Sequence, residues 1–287
     1  MLRNIPGMHS PEQVQASADA LTWFHSIDLG HGVVTHGASD PAIPDRCFPD
    51  FNGRSVLDIG AWDGYYSFMA EREGAARVVA LDHYAWGVDF EARGSYWNEC
   101  FAQGSLPDHS LDLTEFWRAD LPGRKGFEFA ATALGSSVVP VVADFATTDL
   151  AVLGTFDVVL YLGVLYHMKE PLTCLERLRS VTGGVAVIET EAVHFQHLEH
   201  ESLAQFYAGG DLHADFGNWF IPTLTGLHSL CRAAGFSSVR TVMGPPARPA
   251  PPEPFRTRLG RWVGGVERRD HLSAPSCRYR AVVHASA

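Results

Sequence analysis

Short apolar runs that end in a glycine or an acid alternate with helical patterns along most of the chain. The first two runs are Ser55–Gly60 and Arg77–Asp82, and a third is Val138–Asp144. Two later runs are Phe156–Leu162 and Gly184–Glu189. Short apolar runs bounded by turn residues are typical of strands buried on both faces. Because helical segments separate them, the pattern predicts an α/β fold with a doubly wound, mostly parallel sheet.

Helical patterns and segment lengths indicate the organisation around this sheet. The predicted helices outside the longest connection are 11–25, 65–73, 172–181 and 222–234. The connection 84–136 is too long for a simple loop and contains two further helical patterns, at 91–101 and 126–134, so we expect a lid-like insertion. We predict an N-terminal cover segment over residues 1–50 and one larger domain over 51–287 that contains this insertion.

Composition excludes several classes of function. The chain has 287 residues and a net charge of -11, and Lys125 and Lys169 are its only lysines. Binding of nucleic acid or of an anionic membrane needs clustered cations, so both are disfavoured. The five cysteines form no C-x-x-C pair, and no uncharged stretch approaches the ~20 residues that span a bilayer. We expect a cytoplasmic protein, and the oligomeric state stays open.

The first strand-to-helix turn has the composition of a ligand site. It reads Asp58-Ile59-Gly60-Ala61-Trp62-Asp63-Gly64, and its glycines let a ligand approach the backbone closely. The turn lacks both G-x-G-x-x-G and the P-loop pattern. Its two carboxylates suit an ammonium or sulfonium ligand and would repel a pyrophosphate.

Two later strand ends carry acids in the order that an adenosine ligand requires. Asp82 ends the second strand, where a carboxylate can accept both hydroxyl hydrogens of a ribose. Asp144 and Phe145 follow the third strand, where the acid can accept an adenine amino hydrogen and the ring can pack on the base. Because carboxyl ends of parallel strands share one edge, these residues should meet in one crevice.

These motifs resemble those of a known class of enzymes. Val56–Asp82 is similar to motifs I and II of class I S-adenosylmethionine-dependent methyltransferases. Leu160–Leu172 and Trp219–Pro222 resemble segments of the tRNA wobble-uridine carboxymethyltransferase family. The resemblance implies a Rossmann-like, seven-stranded methyltransferase sheet whose antiparallel strand is Tyr279–His284. It also implies S-adenosyl-L-methionine as the cofactor, with these binding residues: Asp58, Gly60, Asp63, Gly64, Asp82, Asp144, Phe145 and Leu162.

One segment departs from the tRNA family and changes the expected substrate. That family places basic residues ahead of its first strand, whereas Trp23–Gly30 contains no lysine. Together with the acidic balance, this favours a small-molecule acceptor, largely apolar or aromatic, in natural-product biosynthesis. Two alternatives stay open, a tRNA-modifying enzyme and a protein that binds the cofactor without catalysis.

The candidate catalytic residues follow the fourth and fifth strands. His167 can act as a general base near neutral pH, or it can tie its loop to the backbone. Glu170 lies in the same loop, and its alternative role is a charge at a helix N-terminus. Glu189 and Glu191 bracket the predicted end of the fifth strand, where a buried carboxylate could accept a proton.

Two further patterns concern metals and the acceptor. His194, His197 and His200 recur every three residues, but a three-residue repeat drifts around a helix, so we expect no metal site. Aromatic residues concentrate in the insertion and before the last helix, which favours an acceptor chamber with apolar walls. They are Trp97, Phe101, Trp117, Phe195, Phe206, Tyr207, Phe216, Trp219 and Phe220.

Overall fold

Buried strands build the centre of the molecule. The computed structural model describes residues 10–37, 43–108, 111, 114–118, 122–207, 211–213, 217–246 and 276–287. The strands of this described part are β1 (Asp28–Gly30), β2 (Val33–Val34), β3 (Ser55–Ile59), β4 (Arg77–Asp82), β5 (Val139–Val142), β6 (Phe156–Leu162), β7 (Thr182–Phe195), β8 (Ala204–Phe206), β9 (Phe220–Pro222), β10 (Ser238–Met243) and β11 (Ser276–Ser286).

A seven-stranded sheet has the order β10-β11-β7-β6-β3-β4-β5. β3 pairs in parallel with both β4 and β6, and β5 and β7 extend the parallel part on either side. β11 runs antiparallel to β7 and to β10. The order of the strands reverses at β3, so the ligand crevice of such a sheet lies beyond the carboxyl ends of β3 and its neighbours. The predicted doubly wound fold with a late antiparallel strand is confirmed.

Helices cover both faces of this sheet. Within the described residues they are α1 (Pro11–Asp19), α2 (Tyr65–Arg72), α3 (Tyr84–Gly87), α4 (Phe90–Ala102), α5 (Pro122–Leu134), α6 (Pro171–Val181) and α7 (Leu224–Ala233). The first face carries α1, α2 and α5, and its core includes Phe68 and Phe127. The opposite face carries α6 and α7, and its core includes Leu178 and Leu227. Burial of apolar side chains in both layers holds the sheet between them.

Two predicted boundaries differ most from the structure. The first helix ends at Asp19 rather than near His25, because the Trp23 indole donates to the Ala18 carbonyl at 2.8 Å and the next amides leave the helix. The fifth strand of the parallel part continues to Phe195 rather than ending at Glu189. β11 supplies hydrogen-bond partners along that whole extension, which a local apolar pattern does not reveal.

The insertion and the N-terminal segment pack against each other over α2. The rings of Phe68 and Phe127 stack with centroids 5.2 Å apart, and Trp86 lies 4.7 Å from Phe127. Trp23 meets Phe129 edge-on at 6.3 Å. Helix α5 of the insertion is therefore part of the core, while the division at residue 50 stays a prediction. In the described part of the chain, no helix has both the length and the apolar character to cross a membrane.

Candidate active site

The turn between β3 and α2 depends on two glycines in the left-handed conformation. Gly60 has φ +77° and Gly64 has φ +87°. A Cβ on Gly60 would lie 2.7 Å from Cγ2 of Val164, and one on Gly64 would lie 2.5 Å from the Phe68 ring. Side chains are excluded from both positions by conformation and by space. The turn therefore presents bare backbone at the carboxyl edge of β3, as the sequence predicts.

Asp58 lies at this edge with its carboxylate out of solvent. It is 2% exposed and accepts a hydrogen bond from Ser67 Oγ at 2.6 Å. Burial raises the pKa of Asp58 to about 6, and the Ser67 hydrogen bond and the nearby His25 oppose this shift. The negative charges of Asp82 and Asp63 raise the pKa further. A cation beside these carboxylates would stabilise their charged forms.

Asp82 ends β4 and holds the same turn from the other side. Its carboxylate accepts the backbone N–H groups of Trp62 and Ala85, each at 2.9 Å. Burial raises the pKa of Asp82 to about 6, although the backbone hydrogen bonds oppose the shift. Asp82 thus fixes the backbone of the glycine turn, and its contact with a ribose stays a prediction.

The Asp63 side chain binds the N-terminal segment. Its side chain is fully buried and accepts from the amides of Phe24 and His25, at 2.9 and 2.6 Å. Nδ1 of His25 lies 2.7 Å from the other carboxylate oxygen. Asp63 therefore joins the cofactor turn to the cover segment, a function that the sequence pattern did not reveal. Its predicted contact with the cofactor remains a prediction.

The remaining predicted cofactor residues line the ends of β5 and β6. Asp144 is half-buried and caps the following turn by accepting from the Ala146 amide at 2.8 Å. The ring of Phe145 is buried against Tyr161, with centroids 5.4 Å apart. Leu162 is half-buried at the last position of β6. The structure thus places Asp144 and Leu162 where a ligand can reach them, whereas Phe145 packs in the core.

These residues fit S-adenosylmethionine as a ligand. Two neighbouring carboxylates, on Asp58 and Asp82, are desolvated and have raised pKa values, so positive charge beside them is favoured. The ammonium and sulfonium groups of the cofactor supply such charge, and the bare turn at Gly60 offers backbone to its methionyl end.

His167 and Glu170 occupy different environments after β6. Nδ1 of His167 lies 3.1 Å from the carbonyl oxygen of Gly217, which favours the interpretation that this histidine tethers its loop. Glu170 is exposed and directly precedes the first turn of α6, which begins at Pro171. That position suits a charge at a helix N-terminus. Catalysis by either residue remains a prediction.

A buried ion pair lies where β7 meets β11. Glu189 is 1% exposed, and both of its carboxylate oxygens accept from Arg280, one of them from Nη2 at 2.6 Å. Nη1 of Arg280 also donates to the hydroxyl of Tyr166 at 3.3 Å. Burial raises the pKa of Glu189, and the guanidinium of Arg280 opposes the shift. Sequence reasoning missed Arg280, because only the pairing of β11 with β7 brings it here.

Glu191 forms a second charged cluster two residues further along β7. Its side chain is 7% exposed, and Oε2 accepts from Nε2 of His213 at 2.6 Å. Nε of Arg278 lies 3.7 Å from the other carboxylate oxygen. The predicted candidate Glu191 therefore has a histidine partner that no sequence motif pointed to.

Metal-binding arrangements are absent from the part of the chain that the structure describes, where no group of three or more His, Cys, Asp or Glu residues could hold an ion. Nε2 of His194 lies 3.8 Å from the Glu199 carboxylate. His197 has φ +71°, so the three histidines do not follow one helix. Phe216 of the predicted aromatic chamber lies outside the described residues.

Comparisons with known proteins agree with this geometry. Residues 40–241 match a family model described as a methyltransferase domain, so the chain belongs to the methyltransferase domain family. The fold, the class of S-adenosylmethionine-dependent methyltransferases and the cofactor are thereby confirmed as predicted.

Individual relatives differ in what they share with the chain. It is 30% identical over 197 residues to the tRNA U34 carboxymethyltransferase of Pseudomonas savastanoi pv. phaseolicola, covering 67% of this chain and 48% of the relative. The chain thus spans about half the length of the curated relatives it matches. A structure of the N-terminal domain of EvdMO1 in the presence of SAH and D-fucose covers 98% of both chains, with a TM-score of 0.60 and 17% identity. At 17% identity, this similarity shows a shared fold and nothing further.

Proposed function

We propose that the chain transfers a methyl group to a small acceptor with a large apolar or aromatic surface, in natural-product biosynthesis. One observation carries this proposal, the aromatic cluster that joins the insertion to the loop after β6. The rings of Trp97 and Trp219 lie 6.4 Å apart, and the Trp219 amide donates to the Tyr166 carbonyl at 2.8 Å. Tyr207 in turn donates its amide to the Trp219 carbonyl at 2.8 Å. An apolar acceptor would gain free energy by burial against these rings.

Charge supports a small acceptor over RNA. Thirty-three acids against 22 Lys and Arg residues make the surface acidic, and one of the two lysines, Lys169, has its Nζ 5.2 Å from the centroid of the Trp219 ring. Polyanion binding depends on many cationic contacts. The EvdMO1 domain, whose structure was determined in the presence of D-fucose, provides an example of this fold studied with a small molecule.

Each part of the site has a role in the proposed reaction. When bound, S-adenosylmethionine supplies an electrophilic methyl group. Asp58 and Asp82 favour its positive charge, and the turn at Gly60 presents backbone without a side chain. The aromatic cluster orients the acceptor and excludes water, which are the main requirements of an in-line displacement. Arg280 and Tyr166 hold the buried Glu189 in place beside the turn after β6.

A second candidate function is modification of the tRNA wobble uridine. The 30% identity to tRNA U34 carboxymethyltransferases favours it. The net negative charge of the chain and the lack of lysine before β3 argue against this function. A protein that binds the cofactor without catalysis is the third possibility that the experiment below distinguishes.

Native mass spectrometry and calorimetry of the purified protein test the proposal. We expect co-purified S-adenosylhomocysteine or S-adenosylmethionine, and binding of added cofactor. Labelled methyl groups should then enter hydroxylated aromatic acceptors and should not enter bulk tRNA. Transfer to tRNA would replace the first candidate with the second, and cofactor binding without transfer to either would favour the third.

A further inference from the structure

The pair formed by His213 and Glu191 has the arrangement of a general base held by a carboxylate. The Glu191 side chain is 7% exposed and accepts from Nε2 of His213 at 2.6 Å, while the His213 side chain is 53% exposed. A carboxylate on one ring nitrogen sets the tautomer, so that the other nitrogen, Nδ1, can accept a proton. Solvent exposure of the ring leaves this nitrogen within reach of a ligand.

His213 occupies its position at a conformational cost. Its φ is +58°, in the left-handed region that residues other than glycine rarely adopt. Such conformations are unfavourable and persist where surrounding contacts impose them, often at functional sites. Here the side-chain Nδ2 of Asn218 donates to the carbonyl of Leu212, the fully buried residue that precedes His213, at 2.9 Å.

The same contacts place the pair beside the crevice. Asn218 lies between Gly217 and Trp219, and these two residues bind the loop after β6 through His167 and Tyr166. Glu191 also lies on the same face of β7 as Glu189, whose carbonyl accepts from the Gly163 amide at 3.0 Å. The pair therefore lies just beyond the carboxyl end of β6, next to the aromatic cluster.

We propose that His213, positioned by Glu191, is the general base that takes the proton from a hydroxyl group of the acceptor. This inference rests on the proposed methyl transfer to a small molecule. The proton moves from the acceptor oxygen to Nδ1, and the electron pair of the O–H bond stays on oxygen. That oxygen then bonds to the methyl carbon of S-adenosylmethionine, while the sulfur keeps the electron pair of the broken S–C bond. The Glu191 carboxylate stabilises the imidazolium, and Nε of Arg278 lies 3.7 Å from the other oxygen of this carboxylate.

The first test follows the ionisation of a bound phenol without turnover. The probe is 4-nitrophenol, bound in the presence of S-adenosylhomocysteine at a pH below the pKa of the free phenol. The wild-type protein should shift the bound probe to the absorption of 4-nitrophenolate. His213→Ala and His213→Gln should bind the probe and leave it neutral. Glu191→Gln should lower the ionised fraction, and Glu191→Asp should restore part of it, because a shorter carboxylate still orients the ring.

The second test uses phenol, a weaker acid, as methyl acceptor. His213→Ala should lower kcat by about 100-fold or more, the range of a lost general base, with a smaller change in KM. Transfer to 4-nitrophenol at a pH where it is already ionised should be much less affected. His194→Ala is the matched control, because His194 also lies near a glutamate, Glu199, at 3.8 Å, and we expect it to behave as wild type.

The outcomes separate this inference from the proposed function. A wild-type protein that binds S-adenosylhomocysteine but does not ionise the probe would overturn the role of His213, as would a His213→Ala variant with an unchanged spectrum. Calorimetry without any binding of S-adenosylhomocysteine to the wild type would overturn the proposed function, and this inference with it.

Discussion

The two sides of the crevice are built in opposite ways. On the cofactor side, Asp58, Asp63 and Asp82 come from 25 consecutive residues, 58–82, and all three are buried with protein partners. On the acceptor side, Glu189 and Glu191 are also buried, but their partners Arg280 and His213 come from distant segments and are partly exposed.

This difference predicts different roles for the two sides. Asp63 and Asp82 accept from backbone amides and so fix the shape of the turn, and we expect the cofactor side to be rigid. Charged pairs with one exposed member leave a group that can meet a ligand, so under the proposed function we expect the acceptor side to carry the chemistry and the specificity. Substitutions on the two sides should therefore affect different properties of the protein.

The largest effect is expected for Arg280→Met on the acceptor side. Loss of the guanidinium leaves the buried carboxylate of Glu189 without its cation. The free energy of unfolding should fall by about 3 kcal/mol. The pKa of Glu189 should rise further in the folded state, so the folded protein binds more protons and stability falls as pH increases through that pKa. Urea unfolding at several pH values measures this. The double variant Glu189→Gln/Arg280→Met is the control, and a loss that persists in it at all pH values would contradict the ion-pair explanation.

Asp63→Asn should have a slightly smaller effect, on the cofactor side. The carbonyl oxygen of the new side chain can still accept from the amides of Phe24 and His25, but its NH2 group replaces the oxygen that faces Nδ1 of His25, and the negative charge is lost. The free energy of unfolding should fall by about 2–3 kcal/mol. Hydrogen exchange should increase at these two residues. Asp157→Asn is the matched control, because the exposed Asp157 accepts from Ser55 N and Oγ at 2.9 and 2.7 Å and its loss should matter less. Equal losses in both variants would show that burial of Asp63 is not the reason.

Gly60→Ala tests whether space at the turn is required. A left-handed alanine costs roughly 1–2 kcal/mol, and the contact with Val164 adds to this. Gly154→Ala is the matched control, since Gly154 has φ +75° but no atom within 4 Å of an added Cβ. Cofactor affinity, measured by calorimetry, should fall only in Gly60→Ala. Adding Val164→Ala to Gly60→Ala should restore part of the cofactor affinity. An affinity that is not restored would mean that the contact with Val164 is not responsible for the loss.

The smallest effect is a dependence of cofactor affinity on pH. Asp58 and Asp82 have pKa values of about 6, so both gain negative charge between pH 5 and 7. Affinity for S-adenosylmethionine should increase by about tenfold, the equivalent of one pKa unit. S-adenosylhomocysteine, without the sulfonium charge, should show a smaller increase. The ligand-free protein should lose stability over the same window, because the folded state binds more protons than the unfolded one.

Much of the cofactor side could be predicted from the sequence. The strands Arg77–Asp82 and Phe156–Leu162 have the predicted bounds, and Gly60 lies in the expected turn. Each depends on a local pattern, an apolar run followed by a glycine or an acid. The partner of Asp63 was not predictable, because His25 lies 38 residues earlier in a segment with no motif.

The acceptor side shows what only the tertiary structure decided. By itself the chain determined its strands, its glycine turn and its acidic surface, since these depend on residue type and local order. The pairs Glu189–Arg280, separated by 91 residues, and Glu191–His213, separated by 22, exist because β11 inserts beside β7 and because Asn218 holds the turn at His213. Side chains far apart in sequence meet only when packing brings their backbones together, and a linear pattern does not record that.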